Sequence, residues 1–379
     1  SIENRASDVF IEPLEDSIQV RFRIDGVLQK FENFSISFHS GIISRLKVIS
    51  DLDISEHRFP QDGRFKIKVP GKEVDFRIST MPSRAGERIV LRILDKERVN
   101  LDIDKFGLDS RSVELLKAAT HKPYGMIVAS GPTGSGKTTT LYAILKYMDS
   151  IEENITTVED PIEYQLHGIN QVAVDENIGL TFDVALRSIL RQDPNIILVG
   201  EIRDFKPAQM AVRSALTGHL VLCTLHTATA SGAIIRLINM GIESFLIASA
   251  CLIVSSQILV RKLCLKCKER YLIPASINME IEKYRINASE FEGAGYIYKS
   301  KGCGFCLNTG YYGRTAIIEV LPISREIKKL IEQGQQEILI RKQARQEGMV
   351  TLRQGGLDLM LRGITSLEEV LRCTVSDEK

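Results

Sequence analysis

Residues 124–148 read YGMIVAS-GPTGSGKTTT-LYAILKYM, and this stretch decides the fold. Tyr124 to Ser130 is a short apolar run with the composition of a buried strand. From Thr138 onward, Leu141, Ile144, Leu145 and Met148 recur at helical spacing. Between them, Gly131, Pro132, Thr133, Gly134, Ser135, Gly136, Lys137 and Thr138 fill every position of G-x-x-x-x-G-K-[ST]. Strand, glycine loop and helix in that order form a phosphate cradle. The glycines let successive backbone N–H groups turn inward, and the helix N-terminus adds partial positive charge. Lys137 is expected at the β- and γ-phosphates of a nucleoside triphosphate and Thr138 on Mg²⁺, with Thr139 extending the cradle.

Outward from this loop, apolar strands alternate with helical patterns across residues 110–262, which predicts a parallel α/β sheet. The strand candidates are Met126–Ala129, Ile155–Val158, Ile196–Val199 and Leu220–Leu225. Each is almost wholly apolar, as strands covered on both faces are. Residues 1–100 alternate with period two instead. In Ser17–Asp25, Ile18, Val20, Phe22 and Ile24 face one way and Gln19, Arg21 and Arg23 the other, before an Asp25-Gly26 turn. The same pattern recurs at Arg64–Val69, Glu73–Ser79 and Arg88–Leu94, with a helix expected at Ser40–Ile49, so this is an antiparallel α+β domain. Residues 101–109 read as a linker, 263–313 as a cysteine module and 314–379 as a helical tail. The uncharged run 244–260 (SFLIASACLIVSSQILV) falls short of the roughly 20 residues of a membrane span and reads as a buried helix.

Composition narrows the class. At 379 residues, 44% hydrophobic and 26% charged, the chain is a globular protein with room for two or three domains. A net charge of +1 argues against a strongly basic nucleic-acid surface. The chain starts at Ser1 without a methionine, and a preceding segment is expected.

Four further constellations carry chemistry. In Ile196–Asp204 (IILVGEIRD), Gly200 stands where phosphate-loop enzymes usually place an aspartate, and Glu201 follows. Glu201 would serve the Mg²⁺ through water or orient the attacking water. In Ile155–Tyr164 (ITTVEDPIEY), Glu159 at a strand end is a second candidate to polarise water, with Glu163 just beyond. In Thr217–Thr229 (TGHLVLCTLHTAT), His219 and His226 flank a strand, and His226 is placed to hydrogen-bond a γ-phosphate. The pairs Cys264-x-x-Cys267 and Cys303-x-x-Cys306 supply four thiolates for structural Zn²⁺, with an Fe–S cluster or redox pair as alternatives. Cys223, Cys251 and Cys373 read as ordinary thiols. On residue type alone, Arg77, Arg88, Arg92, Arg187, Arg191 and Arg203 are surface residues.

Taken together, GPTGSGKTTT, TTVEDPIEY, IILVGEIRD and LTGHLVLCTLHT resemble, in order and spacing, the ATPases of type II secretion, type IV pili and competence systems. ASDVFIEP, RFRIDGVL and DFRISTMP resemble that family's second N-terminal domain, and the resemblance spans nearly the whole chain. The cysteine module ending GCGFCLNTGYYGRTAIIEVLPI resembles the secretion and pilus-extension members; the retraction ATPases, which lack it, resemble the chain less. The resemblance implies a PAS-like N-terminal domain, a RecA-like ATPase domain and a cytoplasmic homo-hexamer that hydrolyses ATP. Nucleotide would lie between the RecA-like and first domains, with Arg77 and Arg92 at the γ-phosphate and Arg187, Arg191 and Arg203 as further functional arginines. Glu201, Glu159, Glu163 and His226 take the family's acidic and histidine positions. ATP, Mg²⁺ and Zn²⁺ are the implied cofactors. The implied partners are the cytoplasmic domains of the L-type and F-type inner-membrane platform components, with no nucleic acid and no transmembrane segment. The type II secretion branch fits best and pilus extension next. The family's first N-terminal domain, which docks on the membrane-anchored partner, has no counterpart in these residues. A nucleic-acid motor, and a chain in which nucleotide is only structural, are the competing readings.

Overall fold

The computed structural model describes residues 2–94, 101–105, 109–149, 151–284, 286 and 295–377. Residues 95–100 of the expected first domain, 106–108 of the expected linker and 287–294 of the expected cysteine module lie outside the described residues. The chain divides into two compact units, Ser1–Val99 and Asn100–Lys379.

In the first unit the period-two pattern becomes an antiparallel sheet. Its strands are β1 (Ala6–Pro13), β2 (Ser17–Ile24), β3 (Val27–Ser35), β4 (Gln61–Val69), β5 (Lys72–Ser83) and β6 (Gly86–Leu94), in the order β3-β2-β1-β6-β5-β4. Helix α1 (His39–Ile49) joins β3 to β4. Ile18, Val20, Phe22 and Ile24 are buried with Phe65, Phe76, Ile78, Ile89 and Leu91 in one core, which leaves arginines on the other face. Asp25 and Gly26 both have positive φ, 49° and 85°, as the tight hairpin turn between β2 and β3 requires.

The second unit begins with α2 (Ser110–Thr120), capped by the Asp109 side chain. Then follow β7 (Gly125–Ser130), α3 (Lys137–Met148), β8 (Ile155–Glu159), β9 (Asn170–Ala173), α4 (Phe182–Ile189), β10 (Ile196–Val199), α5 (Phe205–Leu216), β11 (Leu220–Leu225), α6 (Ala230–Asn239) and α7 (Ser244–Ala250). Next come β12 (Cys251–Leu263), β13 (Glu269–Leu272), α8 (Ala275–Lys283), β14 (Tyr296–Lys299) and β15 (Tyr311–Pro322). The unit closes with α9 (Arg325–Glu332), α10 (Glu337–Gln346), α11 (Leu352–Leu361) and α12 (Leu367–Cys373). The main sheet runs β15-β12-β7-β11-β10-β8-β9, parallel except for the antiparallel edge strand β15. Alternate residues of its strands feed two cores. Met126, Val128, Ile197, Val199, Val221 and Cys223 pack on one face. Ile127, Ala129, Ile196, Leu198, Leu220 and Leu222 pack on the other. A strand buried on both faces must be apolar throughout, which is why these runs lack a polar alternation.

Two expectations are corrected. Residues 244–260 are not one helix: α7 ends at Ala250 and β12 begins at Cys251. Ile253, Val254, Ile258 and Val260 are β-branched, and their strand is sandwiched between β7 and β15, where sheet packing outweighs the apolar run's helical appearance. The C-terminal stretch is not helical from Arg314: residues 314–322 complete β15, where Thr315, Ile317, Ile318 and Val320 fit a pleated surface, and helix resumes at Arg325.

Candidate functional site

Parallel strands bring their C-terminal ends to one edge. Ser130 pairs in register with Leu225, and Val199 with both Val158 and Cys223. The loop after β7, Glu159 at the end of β8, Glu201 after β10 and His226 after β11 therefore share the edge at which such sheets bind ligands.

The loop is shaped by its glycines. Gly131 has φ 143°, and a Cβ there would stand 2.3 Å from the Gln257 carbonyl oxygen. Gly136, at φ 91°, caps α3, whose first residue is Lys137. Pro132, Thr133 and Gly134 are exposed, Ser135 is buried, and Thr138 and Thr139 are half-buried in the first turn of α3. Lys137 is 8% exposed, and its Nζ donates to the Gly131 and Pro132 carbonyls at 2.9 and 3.0 Å, which holds the ammonium over the loop. Burial pushes its pKa down, while the charge of Glu201 opposes the shift. The head group thus sits where an anion would be its natural counter-charge.

Glu201 is partly exposed and pairs with Arg203; its other oxygen lies 3.3 Å from His226 Nε2. The strand end that carries it is fixed on both sides: Gly200 N–H donates to Val158 at 2.8 Å, and the Thr224 hydroxyl donates to the Gly200 carbonyl at 2.6 Å. A Cβ at position 200 would come 3.1 Å from Glu159 Cα, so glycine lets β8 and β10 approach closely where any side chain would require a small shift.

Glu159 has a different environment. It is 2% exposed and accepts hydrogen bonds from Tyr142, from Thr157 at 2.6 Å and from Gln171 at 3.2 Å. Burial raises its pKa against the lowering effect of these donors. Its lone pairs are committed inside the protein, whereas those of Glu201 face the loop edge. Glu163 is half-buried in the following loop. His219 lies at the opposite end of β11, where its Nδ1 is 3.1 Å from the Ser214 carbonyl of α5, away from the loop.

In the first unit, Arg77 and Arg92 are cross-strand partners on β5 and β6. Arg92 pairs with Asp8 at 3.2 Å and Arg88 with Glu12 at 2.9 Å, so these arginines belong to a ladder of mixed charge on the face opposite the core. In the second unit, Arg187 pairs with Asp183 one turn away on α4, and Arg191, just past the end of that helix, bonds the Arg187 carbonyl; both arginines are exposed. Arg203 alone of this trio reaches the loop edge, through Glu201.

The four cysteine sulfurs lie within 4.8 Å of one another. Cys264–Cys303, Cys267–Cys306 and Cys303–Cys306 are separated by 3.9, 3.8 and 3.7 Å. Four thiolates about 2.3 Å from a tetrahedral zinc have edges of about 3.8 Å, so the cluster has the dimensions for that ion. Backbone N–H groups of Cys303 and Gly310 point at Cys306 Sγ, each at 3.2 Å; burial raises that thiol, but these bonds together with those from the Cys303 and Cys267 thiols hold it down at about 7. Around the cluster, Lys266, Lys268 and Arg270 sit over Phe305, Tyr298 and Tyr296, and Lys301 pairs with Glu269 at 2.6 Å. Much of the local basic charge thus has an aromatic or carboxylate partner within the module. Cys223 and Cys251 are buried in the main core, and burial raises both thiols.

Sequence reasoning missed three residues of this edge. Tyr142 and Gln171 tie down Glu159, and Gln257 on β12 bonds the phosphate loop. Only Gln257 left a signal, a single amide in an otherwise apolar and serine-containing run.

Comparison with known proteins gives the same picture. The type IV pilus assembly ATPase PilB of Myxococcus xanthus is 47% identical, a match that covers 100% of this chain and 66% of that protein. The type II secretion system protein E of Dickeya dadantii is 46% identical over 99% of this chain and 73% of its own length. The chain thus spans about two thirds to three quarters of these relatives. Among solved structures, the pilus retraction motor PilT with bound ADP aligns with a TM-score of 0.65 at 26% identity, covering 99% of this chain and 95% of that one. The ATPase DotB of Legionella pneumophila shares the fold, at TM-score 0.68 and 19% identity over 97% of this chain and 91% of that one. The family described as type II/IV secretion system protein matches residues 1–372, and with the phosphate loop, the acidic strand ends and the cysteine cluster in place, the chain belongs to that family of secretion and pilus ATPases.

Proposed function

We propose that this chain is the motor subunit of a type II secretion system, a homo-hexamer that hydrolyses ATP to ADP and phosphate to drive pseudopilus assembly and protein export. The observation that carries the reading is the convergence of loop 131–139, Glu201 and His226 at one sheet edge, in a member of this family. Backbone N–H groups of the loop from Thr133 to Thr139 hold the phosphates, and Lys137 supplies positive charge at the β- and γ-phosphates. Thr138, and Glu201 through water, would hold Mg²⁺, which would supply positive charge to offset that of the phosphates. Glu201 also orients the attacking water, because its carboxylate is the accessible one. Glu159, bonded by three internal donors, shapes the strand end beneath it. His226 reports on the γ-phosphate through its contact with Glu201. Arg77 and Arg92 provide charge to the γ-phosphate in the assembled ring. Cys264, Cys267, Cys303 and Cys306 hold Zn²⁺ in a closed, folding role.

In this reading the ring works at the cytoplasmic face of the inner membrane, held there by the cytoplasmic domains of the L-type and F-type platform components. Among the described residues no helix is long and apolar enough to cross a membrane. Pilus extension is the second reading, and the 47% identity to a pilus assembly ATPase favours it as strongly as the 46% matches favour secretion. The test is steady-state ATPase activity against protein concentration, with light scattering on the same samples. Specific activity should rise as hexamer forms, and Lys137→Ala should abolish turnover while keeping the fold. Turnover retained in Lys137→Ala would refute the assignment.

A further inference from the structure

We infer that Gln257 is a positioning residue for the phosphate loop, acting from β12 to hold the loop's backbone in its anion-binding conformation. The inference rests on the nucleotide reading above and adds to it a residue outside the loop, the acidic strand ends and the histidine stretch.

The register puts Gln257 there. Ser256 of β12 pairs with Ser130, the last residue of β7, so Gln257 lies beside Gly131 where the chain leaves the sheet. Its own carbonyl oxygen is the atom that a Cβ at Gly131 would strike. Its side chain is 1% exposed and uses both ends. Nε2 donates to the Ser135 carbonyl at 2.8 Å, and Oε1 accepts from the Thr140 hydroxyl at 2.8 Å. A Cβ at Gly136 would come 3.2 Å from the same Nε2. One residue therefore touches the entry of the loop, its last peptide and the first turn of α3, and brackets Lys137 and Thr138.

The contact with Ser135 matters because of peptide geometry. In a trans peptide the C=O of one residue and the N–H of the next point in opposite directions. Drawing the Ser135 carbonyl onto Gln257 turns the Gly136 N–H away from Gln257, toward the side on which the loop gathers its donors. Without the amide donor, that carbonyl loses the hydrogen bond that holds it, and the peptide is free to rotate toward water. The Ser135 carbonyl can only accept, so it sets which way the carboxamide faces: Nε2 turns to Ser135, and Oε1 accepts from the Thr140 hydroxyl.

The test uses Gln257→Leu and Gln257→Glu, with MgADP affinity read by calorimetry well below the unfolding temperature, and the thermal midpoint and zinc content read on the same samples. Gln257→Glu keeps the volume and the acceptor for Thr140 but sets oxygen against the Ser135 oxygen. Both variants should weaken MgADP by about tenfold or more, the loss expected from one buried hydrogen bond. If the leucine variant does not fold, the glutamate variant decides the question. A lowered midpoint with wild-type affinity, or a glutamate variant that binds as wild type does, would overturn the assignment alone. Wild-type protein that fails to bind MgADP would overturn it together with the nucleotide reading.

Discussion

The most quantitative prediction concerns Glu369, which anchors the last helix to the strand that carries Gln257. Its side chain is wholly buried. It accepts from the Arg261 backbone N–H at 3.1 Å, from the Arg261 guanidinium at 2.7 Å and from Arg372 at 2.9 and 2.6 Å. Burial alone would raise this carboxyl, but the Arg372 and Arg261 hydrogen bonds outweigh it and hold the pKa at about 2, against an ordinary 4.5. At about 1.36 kcal/mol per pH unit, that gap is worth about 3 kcal/mol of stability. The sign follows from the depressed value: the contribution is fully present above the ordinary carboxylate range and is lost as the pH falls toward 2. Glu369→Gln should therefore cost about 3 kcal/mol at pH 7, and the cost should shrink to about 1 kcal/mol near pH 2.5. In a unit of this size, 3 kcal/mol corresponds to roughly 6 °C in Tm. With no tryptophan in the chain, differential scanning calorimetry on wild type and variant from pH 7 to pH 3 is the assay of choice. The gap between the two Tm curves should close as the pH falls. Curves that stay parallel over that range would refute the reasoning, because they would mean that the Glu369 charge contributes nothing.

Further predictions concern the nucleotide site and the cysteine cluster. Glu201→Gln should lower kcat by about 10²–10³-fold with MgADP affinity kept, as loss of a group acting in the transition state does; Glu159→Gln should lower kcat less and Tm more, and equal kcat losses would restore Glu159 as the base. Because burial raises the Glu159 carboxyl, its contribution to stability falls as the pH rises past the ordinary carboxylate range, and Glu159→Gln should flatten that slope. Cys303→Ser should reduce bound zinc below one per chain and abolish the tetrahedral thiolate spectrum of cobalt-loaded protein; unchanged stoichiometry and spectrum would rule out four-cysteine ligation.

The loop and the strand ends could be read from the chain because their determinants are local. Gly131 to Thr138 is one contiguous motif, and Glu201 and His226 each follow directly on an apolar strand. What could not be read depends on pairing across the sheet. Cys251–Leu263 is buried on both faces between β7 and β15, so it shows no period-two alternation, and its length and apolarity suit a helix equally well. Once that strand was read as helix, Gln257 became one polar residue on a helical turn, with no reason to meet a loop more than a hundred positions earlier. Glu159 shows the same limit: its place at a strand end was visible, but the Tyr142 and Gln171 donors that occupy its carboxylate come from a helix and a neighbouring strand. Its chemistry is set by contacts that leave no trace in its own segment. Glu319 makes the point most sharply. It is fully buried on β15 and accepts the Ala230 N–H at the start of α6 and the Leu352 N–H at the start of α11. A charged residue in the run AIIEVLP argues against a strand until two helix N-termini are known to converge on it, and those donors then favour a carboxylate at that position over the apolar residue the pattern would suggest.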